Sequence, residues 1–374
     1  MPLAKTHTTT PYVSSGMPAL DMQGKQTSFF EFWPTWLIYL PVLLQSLGLA
    51  IWHRSLTLPL IANPLLPLSG MVGIPKSKLL ATAQGECQQA ILPWFVHTIS
   101  NAPLSEQLAA IEQKMMTLDF SYPFVCKPDI GCRGSGVKLI HDSQQLLESI
   151  SYYPEHAGVM LQKLANWEPE AGLFYIREPN QKTGTIISLA LKYSPYIVGD
   201  GKHTLAELIE IDPRAGALKH LYFNRHKQSL NTVLSEGETF RLVFSASHCR
   251  GAIFRDAQQY ITPALSLKID QLMQQIPSFH YGRLDIKFRD IDSFQHGQNF
   301  QIIEINSASS ESLHIWDRNT SFREAMRSLL FQYRTLFKLG AQNRAKGFTP
   351  PPLADLLTAW KTERALNQFH PDTD

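Results

Sequence analysis

Paired cysteines are missing from this chain. Its four cysteines, Cys87, Cys126, Cys132 and Cys249, are scattered over 374 residues with no C-x-x-C pair. That spacing argues against a zinc site and a disulfide scaffold, and predicts a reduced, cytoplasmic setting. Cys126 and Cys132 flank a glycine-rich stretch, where they read as small apolar residues. Strong net charge is missing too: the formal value is +2. With no long basic run and no stripe of interleaved aromatic and basic residues, nucleic acid is not an expected partner. The polar start, MPLAKTHTTTPYVSSG, lacks the early apolar run of a secretory signal. No Gly-Lys-Ser/Thr occurs, which excludes a Walker A loop.

What remains is a globular composition, 44% hydrophobic and 18% charged, with length enough for two or three packed subdomains. One uncharged run stands out: WLIYLPVLLQSLGLAIW, residues 36–52. It sits at the short limit for a bilayer span, holds Pro41, Gln45, Ser46 and Gly48, and has tryptophan at both ends. A buried helix is the expectation, and a membrane-seated helix the alternative.

Residues 1–28, rich in Thr, Ser, Pro and Gly, are expected to be disordered. Residues 29–75 are apolar and proline-punctuated, and TLPLIANPLLPLSG reads as irregular loop. Helix is predicted over 77–90, and strand at LPWFVHTI. An amphipathic helix follows at LSEQLAAIEQKMMTL, then strand at YPFVCKP, helix at SQQLLESISYY and strand at GVMLQKL. That alternation argues for an α/β or α+β subdomain. Farther on, a strand leads into a Gly199-Asp200-Gly201 turn and a helix whose start carries a capping box, Thr204 with Glu207. Residues 212–256 are expected to be loop-rich, ALSLKIDQLMQQI a helix, and the end of the chain peripheral.

Two stretches carry chemistry. CKPDIGCRGSGVKLI, residues 126–140, sets Lys127 before Gly131, Gly134 and Gly136. Such a loop is either a surface turn or a backbone cradle for phosphate. YGRLDIKFRD (281–290) and NFQIIEINSASSES (299–312) both alternate. Arg283, Asp285 and Lys287 share one face of the first, and Glu304 and Asn306 one face of the second. Paired as a hairpin, they bring two carboxylates and an amide together. That set either alternates on a half-exposed hairpin or holds a hard cation such as magnesium.

In combination, Lys-Pro, a glycine loop, a hinge strand, then Arg-x-Asp and Glu-x-Asn on a late hairpin resemble the ATP-grasp superfamily over about residues 75–335. VGDGKHTLAELI is similar to the insert of the cyanophycin synthetase and ribosomal-protein glutamate ligase branch. The resemblance implies an α+β fold in which two α/β subdomains, 76–160 and 161–340, grip ATP between antiparallel sheets. An atypical apolar region, 29–75, precedes them and a tail, 341–374, follows.

It also implies roles. Lys78, with Lys76 as fallback, and Lys127 match the phosphate-binding lysines. Gly134, Ser135 and Gly136 match the loop over the phosphates. Gln162, Lys163 and Leu164 match the hinge that reads adenine, although Gln162 replaces the usual acid, and Glu170 is the ribose candidate. Asp285, Glu304 and Asn306 match the ligands of Mg2+, with Mn2+ as an alternative ion. Arg283 matches the arginine facing the reacting phosphoryl group. Lys192, Arg250, Arg255, His314 and Asp317 are further substrate candidates.

The implied activity is ATP-dependent carboxylate–amine ligation through an acyl phosphate, acting on small-molecule acids and amines. A carboxylate kinase and a non-enzymatic nucleotide binder, seated on a membrane through residues 36–52, are the alternatives. The chain departs from the family at its start, where the usual α/β domain is absent from the pattern. It departs again after Asn306, where SASSESLHIWD replaces a Pro-Gly turn. Both departures bear on the substrate.

Overall fold

The uncharged run near the start of the chain folds as α1 (Thr35–His53), but its burial reverses the expectation of a core helix. Only Ile38 and Val42 are buried, while Trp36, Leu44, Ile51 and Trp52 are 70%, 62%, 79% and 82% exposed. The helix is apolar all round, so its composition could not say that only one stripe meets the protein. The computed structural model describes residues 11–22, 26–31, 33–131, 134–245, 247 and 250–374. Residues 1–10, Cys132 and Cys249 lie outside them. Residues 11–22 correct the disordered reading: Val13, Met17, Leu20 and Met22 pack against the main core, and Tyr193 Oη donates to Pro18 O (3.0 Å).

The proline-broken stretch after α1 is irregular, as expected, but not peripheral. Leu58, Leu60 and Ile61 are buried, and buried Asn63 pins the turn to residues 280, 281 and 307. Its Oδ1 accepts from the main-chain N–H of His280 (2.7 Å) and Tyr281 (3.1 Å). Its Nδ2 donates to Tyr281 O (2.8 Å) and Ser307 Oγ (2.7 Å). The helix expected over 77–90 is two, α2 (Lys76–Leu80) and α3 (Gly85–Ala90). Gly85, at φ +53°, stands at the break.

The next elements are β1 (Trp94–Thr98), α4 (Leu104–Thr117), β2 (Phe124–Pro128), β3 (Lys138–Ile140), α5 (Ser143–Ser151) and β4 (Gly158–Lys163). The strands form an antiparallel sheet in the order β1-β4-β2-β3. Residues at four-residue spacing on α4, Gln107, Ile111 and Met115, are buried. Ile111 and Met115 join Leu146 and Ile150 of α5 and Phe95, Phe124 and Leu161 of the sheet in one core.

After a short connection come β5 (Glu170–Ile176) and β6 (Thr185–Tyr193). An insert follows, with β7 (Tyr196–Val198), α6 (Leu205–Ile211), α7 (Lys219–Arg225) and β8 (Thr239–Arg241). It has a small core of its own around Ile197, Leu205, Ile209 and Tyr222. The Thr204–Glu207 capping box is present at the start of α6, and the region read as loop-rich holds α7 and β8. The chain then makes β9 (Ile253–Asp256), α8 (Pro263–Gln274), β10 (Tyr281–Phe288), α9 (Ile291–Gln295) and β11 (Phe300–Asn306).

The second sheet is antiparallel in the order β11-β10-β5-β6-β9. Leu284, Ile286 and Phe288 of β10 enter its apolar core with Leu272 and Met273 of α8. The intervening residues of β10 therefore face the other way. Two antiparallel sheets in an α+β chain are the architecture expected. Last come α10 (Phe322–Ala345), begun by a second capping box, Ser321 with Glu324, and α11 (Leu353–Leu366).

Asn63→Ala would strand buried backbone groups of β10. The expected cost is about 3 kcal/mol in urea denaturation. A loss below about 0.5 kcal/mol would show that the turn is held by its apolar contacts instead.

Candidate functional site

Side chains from both sheets line one cavity of 1240 Å³. On one side stands Lys127 of β2, 7% exposed. Its Nζ donates to Gln162 Oε1 (2.8 Å) on the adjacent strand β4 and to Ile303 O (3.4 Å) on β11 of the other sheet. This lysine therefore spans the gap between the two sheets. Burial pushes its ammonium below the usual lysine value, and Lys76 adds to that, while Glu304 and Asp285 pull it back up.

On the other side the hairpin has the register that its alternation predicts. Asp285 pairs with Glu304, and Arg283 with Asn306, across β10 and β11. A bulge follows at Asp285/Ile286. Arg283 holds Asp285 with two nitrogens, Nε at 2.7 Å and Nη2 at 3.1 Å. Asn306 Nδ2 donates to Asp285 Oδ2 (3.0 Å). Burial works against the Arg283 guanidinium, but Asp285 overrides it and its pKa lies above the usual arginine value. For Glu304 burial acts upward, yet Lys76, Lys127 and Arg283 outweigh it and hold the carboxyl below its usual range.

Of the residues picked from the sequence, Lys127, Gly134, Ser135, Gln162, Lys163, Leu164, Glu170, Arg283, Asp285, Glu304 and Asn306 all line this cavity. Lys78 does not: it is exposed. Lys76, the fallback, lines the wall instead, with Nζ 3.9 Å from Glu304 Oε1 and donating to Gly131 O. Positions two apart on a helix lie about 200° round its axis, so only one of the pair can face the cleft. Gly136 sits off the wall, its N–H donating to Thr373 Oγ1 (3.1 Å).

Glu170 is not a free carboxylate. Lys192 (2.5 Å) and Lys287 (2.8 Å) grip it from the same sheet. Burial pushes its carboxyl up, but the two lysines prevail and hold it at about 2. Lys287 was missed as a partner, although it shares the face of Arg283 and Asp285.

His314 and Asp317 serve the scaffold. His314 meets Ser188 Oγ (2.8 Å) and Ser328 Oγ (3.0 Å). Asp317 accepts from the N–H of Asp256 (2.7 Å) and Asn319 (2.8 Å). Arg255 lies 4.0 Å from Asp317. Arg250 Nη1 donates to Gly134 O (2.6 Å), so it touches the glycine loop.

That loop is shaped by glycine at one decisive point. Gly134 has φ +70°, and a Cβ there would come within 2.8 Å of Ser245 Oγ and 2.9 Å of Arg250 Nη1. The end of the chain, expected to be peripheral, packs against the same loop. Thr373 Oγ1 donates to Gly134 O (2.9 Å). The Asp374 carboxylate accepts from Lys138 Nζ (2.7 Å) and Leu139 N (2.8 Å), and Phe244 N donates to Asp374 O (2.9 Å). Nothing in the local pattern of the last residues pointed to these partners.

Among the described residues no group of three His, Cys, Asp or Glu side chains is placed to hold a metal. The hairpin offers two carboxylates and an amide. An all-oxygen set of that size suits magnesium, which usually takes one or two carboxylates and completes its shell with water and substrate phosphates.

No family model matches the chain, and no curated protein matches it. Solved structures do. A D-alanine–D-alanine ligase from Bacillus anthracis is 11% identical, with a TM-score of 0.39 over 74% of this chain and 74% of that one. The VanG D-Ala:D-Ser ligase from Enterococcus faecalis is 10% identical, with a TM-score of 0.38 over 71% of this chain and 60% of its own. A bifunctional glutathione synthetase from Pasteurella multocida is 12% identical, with a TM-score of 0.35 over 71% of this chain. The chain spans 38% of that synthetase.

Glu170→Gln would leave Lys192 and Lys287 buried beside a neutral group. A depressed pKa contributes stability above the unfolded value, near 4.5, and loses it as pH falls towards about 2. Urea denaturation should show the variant weaker by on the order of 3 kcal/mol at pH 7, with the gap closing between pH 4.5 and pH 2. A gap independent of pH would contradict the ion-pair account.

Proposed function

We propose that this protein is an ATP-dependent carboxylate–amine ligase. The observation that carries the proposal is Lys127 of β2 reaching the main chain beside Glu304. It puts the glycine-loop cation and the acidic hairpin on one cavity. The adenine would lie along residues 162–164, where the chain passes from one sheet to the other. The phosphates would sit under the loop at Gly134 and Ser135, against Lys76 and Lys127. Asp285, Glu304 and the Asn306 amide oxygen would hold magnesium, which when bound supplies positive charge to the phosphate oxygens.

A substrate carboxylate attacks the terminal phosphorus, ADP leaves, and an acyl phosphate results. An amine then attacks the acyl carbon and phosphate departs. Neither step needs a protein nucleophile; both need position and charge. Arg283 faces the phosphoryl group in transfer, with Asp285 fixing the plane of its guanidinium. Lys127, its ammonium already disfavoured by burial, gains most when a polyanion arrives.

The test is ADP release with Mg2+ and pooled carboxylic acids, with hydroxylamine present to trap an acyl phosphate as hydroxamate. Asp285→Ala and Lys127→Ala should each lower the rate at least about 100-fold. Full activity in either variant would refute the site. Acyl phosphate formed without consumption of any amine would favour the kinase reading.

A specific observation also favours membrane association. The outer face of α1 exposes Trp36, Leu40, Leu43, Leu44, Leu47, Ile51 and Trp52 and carries no charge. Its inner face is committed to α10, where Gln45 Nε2 donates to Leu330 O (2.8 Å). The helix therefore presents its side rather than its end, the pose of an in-plane anchor. Exposed cations stand beside it: Arg54 after the helix, and Arg334 of α10, which lines a groove with Leu49, Trp52 and His53. Apolar face and basic margin together suit a bilayer with anionic headgroups. The protein should float with phosphatidylglycerol-containing vesicles, and Leu44→Glu/Leu47→Glu should abolish flotation. Failure of the unaltered protein to float would end this reading.

A further inference from the structure

The wall of the cavity includes side chains that the proposed nucleotide contacts do not use. Four are apolar: Ile38 of α1, Phe254, Leu313 and Trp316 line the cavity and belong to one buried cluster. Two carboxylates, Glu31 and Glu311, line it as well. Glu31 is neutralised by Arg214, 2.6 Å away. Glu311 is different. One of its oxygens accepts the Tyr39 hydroxyl, also from α1, and the other accepts Trp316 Nε1 (2.9 Å). Both donors are neutral, and no ion pair to Glu311 is found among the described residues. Arg283, already bidentate on Asp285, meets Glu311 at its main-chain oxygen (3.2 Å).

We infer that Glu311 receives the ammonium group of the acceptor, and that this acceptor is a primary amine bearing an apolar or aromatic substituent. The inference rests on the ligase reading and adds the substrate class to it. Beside apolar walls, Glu311 has two neutral donors and shares the charge of the Arg283 guanidinium with Asp285 and Glu304, so a further cation is favoured, and a primary ammonium supplies both the charge and a further donor. The substituent then removes the apolar wall from water. The hydrogen bond from Arg283 places this anchor next to the group that faces the reacting phosphate.

The bond changes balance without a further reactant. As the ammonium is delivered, one proton passes to Glu311, and the freed lone pair attacks the acyl carbon. The new C–N bond forms and the C–O bond to phosphate breaks, the oxygen keeping the electron pair. The second nitrogen proton leaves on the phosphate, and Glu311 returns its proton to solvent. Tyr39 is a positioning residue. Through it α1 contributes to the wall around Glu311.

Tryptophan fluorescence tests the inference directly, because Trp33 and Trp316 line the cavity. Phenethylamine and hexylamine are titrated into the full-length protein, with phenethyl alcohol and glycinamide as comparisons. ATP binding is followed in parallel by thermal shift. The inference predicts saturable binding of both hydrophobic amines, at least tenfold weaker in Glu311→Gln and largely restored in Glu311→Asp. It predicts phenethyl alcohol binding that the Gln variant does not change, and an ATP shift that it leaves intact. Equal amine affinity in the unaltered protein and Glu311→Gln, or tighter binding of glycinamide than of phenethylamine, would overturn it. Loss of ATP binding in the unaltered protein would instead refute the ligase reading, a separate result.

Discussion

A buried ammonium between two sheets organises this molecule. Lys127 stands on the four-stranded sheet, bonds Gln162 on the next strand, and reaches the backbone of β11 on the five-stranded sheet. A cation so far from water is tolerated because Glu304 and Asp285 lie within its field. Those carboxylates in turn repel each other less because Arg283, Lys76 and Lys127 share the space. Neither half is balanced alone, and the cleft is the place where they balance.

The same logic explains the rest of the wall. Glu170 is locked by Lys192 and Lys287, which keeps a third carboxylate ionised without leaving it free for ligands. The glycine loop approaches Ser245 and Arg250 closely enough to exclude a Cβ at Gly134. Residues 29–75 contribute Ile38, Tyr39, Leu66 and Ile74 to the wall of the cavity. Asn63 ties them to the root of the hairpin. One helix thus has two duties: Ile38 and Tyr39 face the cavity, and the opposite side of α1 is left bare.

How much of this the residues announce depends on the range of the interaction. Strand alternation is local, so the facing of Asp285 and Glu304 could be read from spacing alone. So could the capping box at Thr204, whose partners are three residues apart. The choice between Lys76 and Lys78 was not local: it depended on which side of a short helix meets a sheet formed much later in the chain. The burial of α1 failed for the same reason, since a helix apolar all round carries no label for its inner face. Residues 370–374 are polar and short, and their partners, Gly134, Lys138 and Phe244, lie more than a hundred residues earlier. The Glu311 environment needed tertiary structure altogether, because Tyr39 is 272 positions away.

The central claim is that Lys127 and Glu304 act on one bound triphosphate and its ion. A double-mutant cycle on MgATP affinity measures that claim most directly, using the unaltered protein, Lys127→Met, Glu304→Gln and the double variant. The account predicts a coupling above about 1 kcal/mol, with the double variant little worse than the poorer single one. Losses that add to within about 0.5 kcal/mol would mean that the two groups serve separate ligands, and would contradict it.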